Sequence, residues 1–407
     1  MTKGAAMSTT SPPTEVRVHL GARPPRDRAP RPTGDRPTTS GRLDLAGKLF
    51  QTSLWPGVQA VADGDVLAAP LVVELDPTSF CDMRCPECIS IELLNDARFP
   101  RERLLSLAKE FADLGVRAVI LIGGGEPLMH NAVGDAIDIL GSAGIAVGLT
   151  TNGTMIHRYL APIAAFGAWT RVSVDAGTAE TFERFRPHRT GRNAFDQVIG
   201  NMRRLAAVKT GSLGYSFLLV ARTTAAGDLV ESNFGDVAAA AALARDIGCD
   251  YFEVKPTYDL AHFLVAQPPA LGELLADQLH RAHETAGDGF EVLSPRTLAT
   301  VMDERQYVEP KDYHHCPVAE LRTLVTATGA YVCPYHRGNP RARYGDPLTE
   351  TFAEMWSGPR RHEVKTDIDP ATDCRFHCIR HQSNELLLRM AHEDLSSEVV
   401  PNHDPFL

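Results

Sequence analysis

Between residues 71 and 260, short apolar runs alternate with helical periods, and this alternation limits the fold more than any other feature of the chain. Apolar runs of strand length stand at 71–75, 118–122, 145–149, 170–174, 215–220 and 251–254. Helical periods separate them at 101–114, 131–142, 157–166, 194–207 and 234–247. Each apolar run is short and bounded by Gly, Asp, Pro or Asn, the pattern of strands buried on both faces. Strand–helix alternation repeated in this way implies right-handed βαβ units around a parallel sheet. Six units are too few to close an eight-stranded barrel. The expected fold class is therefore α/β, a partial (β/α)6 TIM-like barrel, with chemistry at the carboxyl ends of its strands.

The flanks read differently. Residues 1–42 contain a proline- and arginine-rich run at 22–32 with no apolar period, which predicts a disordered basic tail. Residues 43–70 form a short amphipathic segment expected to pack on the barrel, which spans 71–290. Beyond that the alternation stops. Residues 321–326, the turn Thr328-Gly329 and residues 330–333 predict a β-hairpin. Residues 291–407 thus form a smaller, loop-rich domain that a metal site would stiffen.

Composition enters mainly by exclusion. With 43% apolar residues, wholesale disorder is ruled out, and a net charge of −10 argues against a general nucleic-acid binder. No apolar stretch is long enough to span a membrane, and the first residues lack the apolar core of a signal peptide, so a cytoplasmic location is expected. Eight cysteines stand at Cys81, Cys85, Cys88, Cys249, Cys316, Cys333, Cys374 and Cys378. Reducing cytosol disfavours disulfides in a long chain, so the clusters point to metal.

The sharpest signal is Cys81-Asp82-Met83-Arg84-Cys85-Pro86-Glu87-Cys88, directly after the first strand. Three thiolates at this spacing can wrap one side of a cuboidal iron–sulfur cluster and leave one iron open to a ligand. A structural zinc site would want a fourth ligand, which the loop does not offer.

Further motifs follow in order: Gly124-Gly125-Glu126-Pro127 after the second strand, Thr151-Asn152-Gly153 after the third, and Ser173-Val174-Asp175 ending the fourth. Together with the CxxxCxxC loop they resemble the radical S-adenosylmethionine (SAM) superfamily over residues 71 to about 260. The resemblance implies a SAM-binding [4Fe-4S] cluster on Cys81, Cys85 and Cys88. It places Gly124, Gly125 and Glu126 at the methionine amino group, and Asn152, Ser173, Asp175 and Arg222 around the rest of the cofactor. One electron from the cluster would cleave SAM to a 5′-deoxyadenosyl radical that abstracts hydrogen from an unactivated carbon. The family often has an aromatic residue just before the third cysteine, where this chain has Glu87, so adenine contacts would come from Ile89 and backbone groups.

Cys316, Cys333, Cys374 and Cys378 can saturate either a [4Fe-4S] cluster or zinc. Their setting, Gly329 to Pro334, Gly338-Asn339 and Phe352 to Trp356, is similar to the Twitch/SPASM extension of radical SAM enzymes, and implies a second, auxiliary [4Fe-4S] cluster in a small Twitch-like domain. The final pair is C-x3-C instead of C-x2-C, which leaves His336, His377 or His381 as substitute ligands. Cys249 precedes the sixth strand at its amino end and reads as a buried small hydrophobe.

Polar residues at strand ends are the candidates for substrate chemistry: Glu74 and Asp76 on the first strand, Arg222 after the fifth, and Glu253, Lys255 and Tyr258 around the sixth. Glu253, Lys255 or Tyr258 would take a proton from a substrate hydroxyl once the adjacent carbon is a radical. The resemblance implies a small sugar-like substrate (sugar, aminoglycoside or aminocyclitol) that is dehydrated or oxidised in antibiotic biosynthesis, with flavodoxin or ferredoxin as reductant and no nucleic-acid or membrane partner. A peptide-modifying enzyme and a non-catalytic iron–sulfur or zinc protein are the alternatives.

Overall fold

The computed structural model describes residues 42–257, 270–295, 298, 309–402 and 404–407. Tyr258 and the basic tail before residue 42 lie outside the described residues.

Twelve strands are described: β1 (Val72–Asp76), β2 (Ala118–Leu121), β3 (Ala146–Thr151), β4 (Gly167–Ser173), β5 (Ser212–Leu218), β6 (Ala221–Thr223), β7 (Leu229–Ser232), β8 (Tyr251–Lys255), β9 (Glu291–Leu293), β10 (Arg322–Thr326), β11 (Gly329–Tyr331) and β12 (Arg343–Gly345). The helices in chain order are α1 (Trp55–Ala62), α2 (Arg101–Leu114), α3 (Val133–Ser142), α4 (Leu160–Phe166), α5 (Ala179–Phe185), α6 (Phe195–Val208), α7 (Val237–Ile247), α8 (Ala270–Glu284), α9 (Phe352–Ser357), α10 (Pro359–Asp367), α11 (Pro370–Asp373) and α12 (His381–Met390).

The six expected strands lie side by side and parallel, in the order β1-β2-β3-β4-β5-β8, which establishes the α/β partial barrel. The sheet then extends past both ends of that set. β9 adds in parallel to β8, so the sheet crosses the boundary expected after residue 290. On the other side β10 pairs in parallel with β1, Val72 opposite Arg322 and Asp76 opposite Thr326. The hairpin read from 321–333 is present, but its first strand continues the barrel sheet and carries β11 and β12 with it. β6 and β7 form a separate two-stranded ribbon after β5.

The helical layer forms for local reasons. In α2, Leu104, Leu107, Ala108 and Phe111 recur at one-turn spacing and are buried, and Gly115 ends the helix at φ 81°. Its Phe111 meets Phe352 edge-on at 4.9 Å, and α9, which starts there, has a Thr351–Glu354 capping box. Phe352, Met355 and Trp356 are buried in the same core as the barrel strands. The C-terminal segment therefore shares the main core instead of standing on a small one of its own.

Strand alternation gives the sheet two faces. Val73, Leu75, Val119, Leu121, Val147, Leu149 and Val254 pack under the helices. On the opposite, lumenal face the lower end is apolar: Val72, Ala118, Ile120 and Trp169 pack with Leu49, Leu54, Val58, Phe406 and Leu407. The segment after residue 43 thus covers the barrel floor together with residues 404–407, an arrangement tied by Lys48 to Asp404 at 2.6 Å. Gly148 makes this plug possible, since a Cβ there would lie 2.3 Å from the Trp169 ring. Above the floor the lumen turns polar, with Glu74 paired to Arg322 and Glu253 paired to Arg171 at 3.2 Å.

Candidate active site

Cys81, Cys85 and Cys88 sit on the loop between β1 and α2, at the carboxyl end of the first strand. Its fold is fixed by Asp82, which accepts from Asn152 Nδ2 and from Thr154 Oγ1, each at 2.7 Å. Arg84 and Arg189 add backbone bonds of 2.8 Å to Pro187 and Asp82. Asn152, expected at the cofactor, braces this loop, and its Nδ2 is 3.8 Å from Cys81 Sγ. Burial, with the Glu126 carboxylate adding to it, pushes the Cys81 thiol up to about 12, and burial likewise raises Cys85. These thiols are neutral at pH 7, so metal binding releases protons.

The glycine loop closes against them. Gly124 N donates to Asp76 Oδ2 at 2.9 Å, and a Cβ on Gly125 would come within 2.3 Å of the Phe80 carbonyl oxygen. Glu126 accepts from Leu128 N at 3.0 Å, Thr151 Oγ1 at 2.6 Å and Asn152 N at 2.7 Å. Its carboxylate thereby staples the loop after β2 to the loop after β3. Burial still drives it up to about 7, against the pull of those donors.

Ser173 is half-buried at the end of β4, opposite Ser216. Asp175 has φ 58°, the one non-glycine in the left-handed region among the described residues. It accepts from Leu218 N at 2.7 Å and pairs with Arg186, while its carbonyl accepts from Asn233 at 2.9 Å. These contacts over-determine a costly backbone conformation, as is common beside ligand sites. Arg186 was not singled out from the sequence, which carries no local signal for it. Its Nε is buried without a partner among the described residues, and its charge acts on Cys85 and Cys81.

Arg222 is committed to carboxylates. It pairs with Glu87, including Nη2 to Oε2 at 3.0 Å, and with Glu231, and stacks 4.7 Å over the Phe185 ring. The residue in the family's aromatic position is thus clamped by an arginine from the β6–β7 ribbon. Ile89, the expected adenine neighbour, is 52% exposed on the same loop.

Glu253 and Lys255 line the lumen at the end of β8. Burial works to raise Glu253, but the Lys255 and Arg171 charges overcome it and hold the carboxyl below its usual range. Burial, helped by the Arg171 charge, pushes Lys255 down to about 8, and its ammonium makes no hydrogen bond among the described residues. Glu74 and Asp76 are both buried and paired, to Arg322 and Arg337 respectively.

Cys316, Cys333, Cys374 and Cys378 are reduced and partly buried, and their thiols act on one another electrostatically across a common space. Burial pushes Cys316 up to about 11 and Cys374 to about 12. Cys316 donates to Asn384 Oδ1 at 3.4 Å, and His336 Nε2 lies 3.5 Å from Cys374 Sγ. His381 instead meets the Tyr313 hydroxyl at 3.0 Å. Cys249 is buried in the main core, away from both groups.

A parallel partial barrel with three cysteines beyond its first strand and a glycine loop beyond its second defines a class of iron–sulfur enzyme. The chain belongs to the radical SAM superfamily, whose family profile matches residues 75–223. GTP 3′,8-cyclase of Ectopseudomonas mendocina is 34% identical over 325 residues, covering 72% of this chain and 91% of that protein. Mycofactocin maturase of Mycobacterium tuberculosis is 26% identical over 164 residues, 39% of this chain and 40% of that one. In fold, the chain is similar to Streptococcus suis SuiB bound to SAM, with a TM-score of 0.54 at 14% identity over 77% of this chain and 72% of that one. It is also similar to anSMEcpe with bound SAM, with a TM-score of 0.53 at 16% identity over 79% and 97%. Membership implies a [4Fe-4S] cluster and SAM. The residues fit both, since three thiols share one loop and Arg186, with a buried Nε that has no partner among the described residues, acts electrostatically on two of them. Among the described residues no helix is long and apolar enough to cross a membrane.

Proposed function

We propose that this enzyme abstracts hydrogen from a small polyhydroxylated substrate (a sugar, aminoglycoside or aminocyclitol), which then loses water or is oxidised at an alcohol carbon. Lys255 carries this reading: a lumenal lysine with no hydrogen-bond partner among the described residues, pushed down to about 8 by burial. Such an amine accepts a hydroxyl proton near neutral pH, the step both outcomes need once the neighbouring carbon is a radical. Glu253, held ionised by Lys255 and Arg171, orients the hydroxyl, and Tyr258 adds a further polar group beyond the strand.

Bound to this chain, the cluster and SAM supply a one-electron reductant and a hydrogen-abstracting radical. Cys81, Cys85 and Cys88 hold the cluster. Gly124, Gly125 and Glu126 seat the methionine amine, Asn152 orients the cluster loop, and Ser173 and Asp175 face the ribose. Arg186 offers its free Nε to the carboxylate. Arg222 acts through Glu87 by fixing the loop.

The C-terminal cysteines hold a second [4Fe-4S] cluster in this reading. Four thiols act on one another across a common space, the number of protein ligands a [4Fe-4S] cluster takes. A flavodoxin or ferredoxin supplies the electrons. The cyclase relative, whose name specifies a ribose-bearing nucleotide, supports a small substrate.

The test is anaerobic reconstitution with dithionite and SAM, with deuterated candidate glycosides followed into 5′-deoxyadenosine. Cys81→Ala abolishes SAM cleavage, whereas Cys378→Ala leaves uncoupled cleavage. Deuterium transfer from peptides and not from glycosides would replace this reading with a peptide-modifying one.

A further inference from the structure

Two arginines meet near the C-terminal cysteines with more buried N–H groups than the described residues supply acceptors for. Arg380, the residue before α12, is 9% exposed, and its Nε and Nη1 are buried without a hydrogen-bond partner among the described residues. Arg322, at the start of β10, is 4% exposed and has a buried, unpartnered Nε. Arg322 is otherwise answered: it pairs with Glu74 and donates from Nη1 to the Leu407 carbonyl at 2.6 Å.

Arg380 has no such answer. The strongest charges acting on it are those of Arg322, the Cys378 and Cys333 sulfurs and the Tyr335 hydroxyl. Lys48, a further cation in range, is already paired with Asp404. A buried guanidinium beside a second one, with two idle donors, is strongly unfavourable unless an anion lies against it. Neutral thiols do not provide one. Thiolates bridged by iron and sulfide do, because the assembly is anionic and its sulfurs accept hydrogen bonds.

We propose that Arg380 donates from Nε and Nη1 to sulfur of an auxiliary iron–sulfur cluster on Cys316, Cys333, Cys374 and Cys378, and so raises that cluster's reduction potential. This rests on the auxiliary-cluster reading above. Reduction adds negative charge, which a fixed cation and its N–H donors stabilise more in the reduced state than in the oxidised one. Arg380 is in this sense a tuning residue and does not meet the substrate.

The experiment uses the full chain with Cys81, Cys85 and Cys88 changed to Ala, so that only the auxiliary site is reconstituted. Iron and sulfide are counted first, and the potential is then measured by titration followed by electron paramagnetic resonance. Arg380→Gln should keep its iron and become at least tenfold harder to reduce, a downward shift of about 59 mV for one electron. Arg380→Lys, which keeps the charge and loses the planar fork, should fall between. An unchanged potential in Arg380→Gln with full iron overturns the proposal. So does loss of iron from both variants, which would leave Arg380 only a structural role. If the unsubstituted arginine background takes up no iron and sulfide, or takes up zinc, the auxiliary-cluster reading itself has failed, an outcome distinct from the other two.

Discussion

Arg337 grips Asp76 through both carboxylate oxygens, Nε to Oδ2 at 2.6 Å and Nη2 to Oδ1 at 3.1 Å. The same Oδ2 receives the Gly124 amide at 2.9 Å. One buried carboxylate at the end of β1 therefore joins the C-terminal segment to the glycine loop. Because Asp76 is 2% exposed, Arg337→Ala leaves a buried charge without its cation, and should cost about 3 kcal/mol in urea unfolding. Changing both residues, Asp76→Asn with Arg337→Met, should cost less than the two single changes added together. Strict additivity would show that the pair does not couple the two segments.

The clamp of Glu87 by Arg222 is about a quarter exposed on each side, so its worth is modest. A double-mutant cycle with Glu87→Ala and Arg222→Ala should give a coupling energy of about 0.5–1 kcal/mol. Raising the salt concentration should shrink it. A coupling of zero at low salt would mean that the cluster loop is held by Asp82 and its partners alone.

Lys255 predicts a pH dependence of defined sign. Burial lowers it to about 8, and only the neutral amine accepts a proton. Product formation should therefore rise as pH increases through about 8 and level off above it, while 5′-deoxyadenosine formation without turnover should not follow the same curve. Lys255→Arg, always charged, should lose product formation and keep SAM cleavage. A wild-type profile flat from pH 6.5 to 9.5 would remove Lys255 from the chemistry.

The floor of the barrel should be sensitive far from the site. Phe406 is 4% exposed and meets Trp169 at 5.3 Å between ring centroids. Phe406→Ala should destabilise by about 3 kcal/mol, read as a lower urea midpoint with the unfolding slope unchanged. A change below about 0.5 kcal/mol would show that residues 404–407 do not plug the lumen.

Much of the barrel was legible because its signals are local. The period of 101–114 alone marks α2, and the structure begins and ends that helix at the same residues, with Gly115 at φ 81° as its stop. The cysteine loop was readable in the same way, since three ligands within eight residues need no knowledge of the fold. Arg186, Arg337 and Arg380 were not readable. Arg186 and Arg337 work through a carboxylate on another element, Asp175 and Asp76, and Arg380 stands out only because tertiary packing buries its donors without an acceptor among the described residues. Arg222 was noticed for its strand-end position, yet its partner Glu87 lies 135 residues away and showed only as an odd residue among cysteines.

By itself, then, the order of residues determined the strand–helix rhythm, the parallel sheet and the places where cysteines gather, because periodicity and spacing act over a few turns of chain. Only the tertiary structure decided that β10 closes onto β1 some 250 residues away, that the C-terminal segment shares the barrel's core, and that residues 404–407 fill its floor. The physical reason is that both sheet edges offer unpaired backbone groups and the lumen offers apolar surface. Which distant segment satisfies them depends on packing that no local pattern encodes.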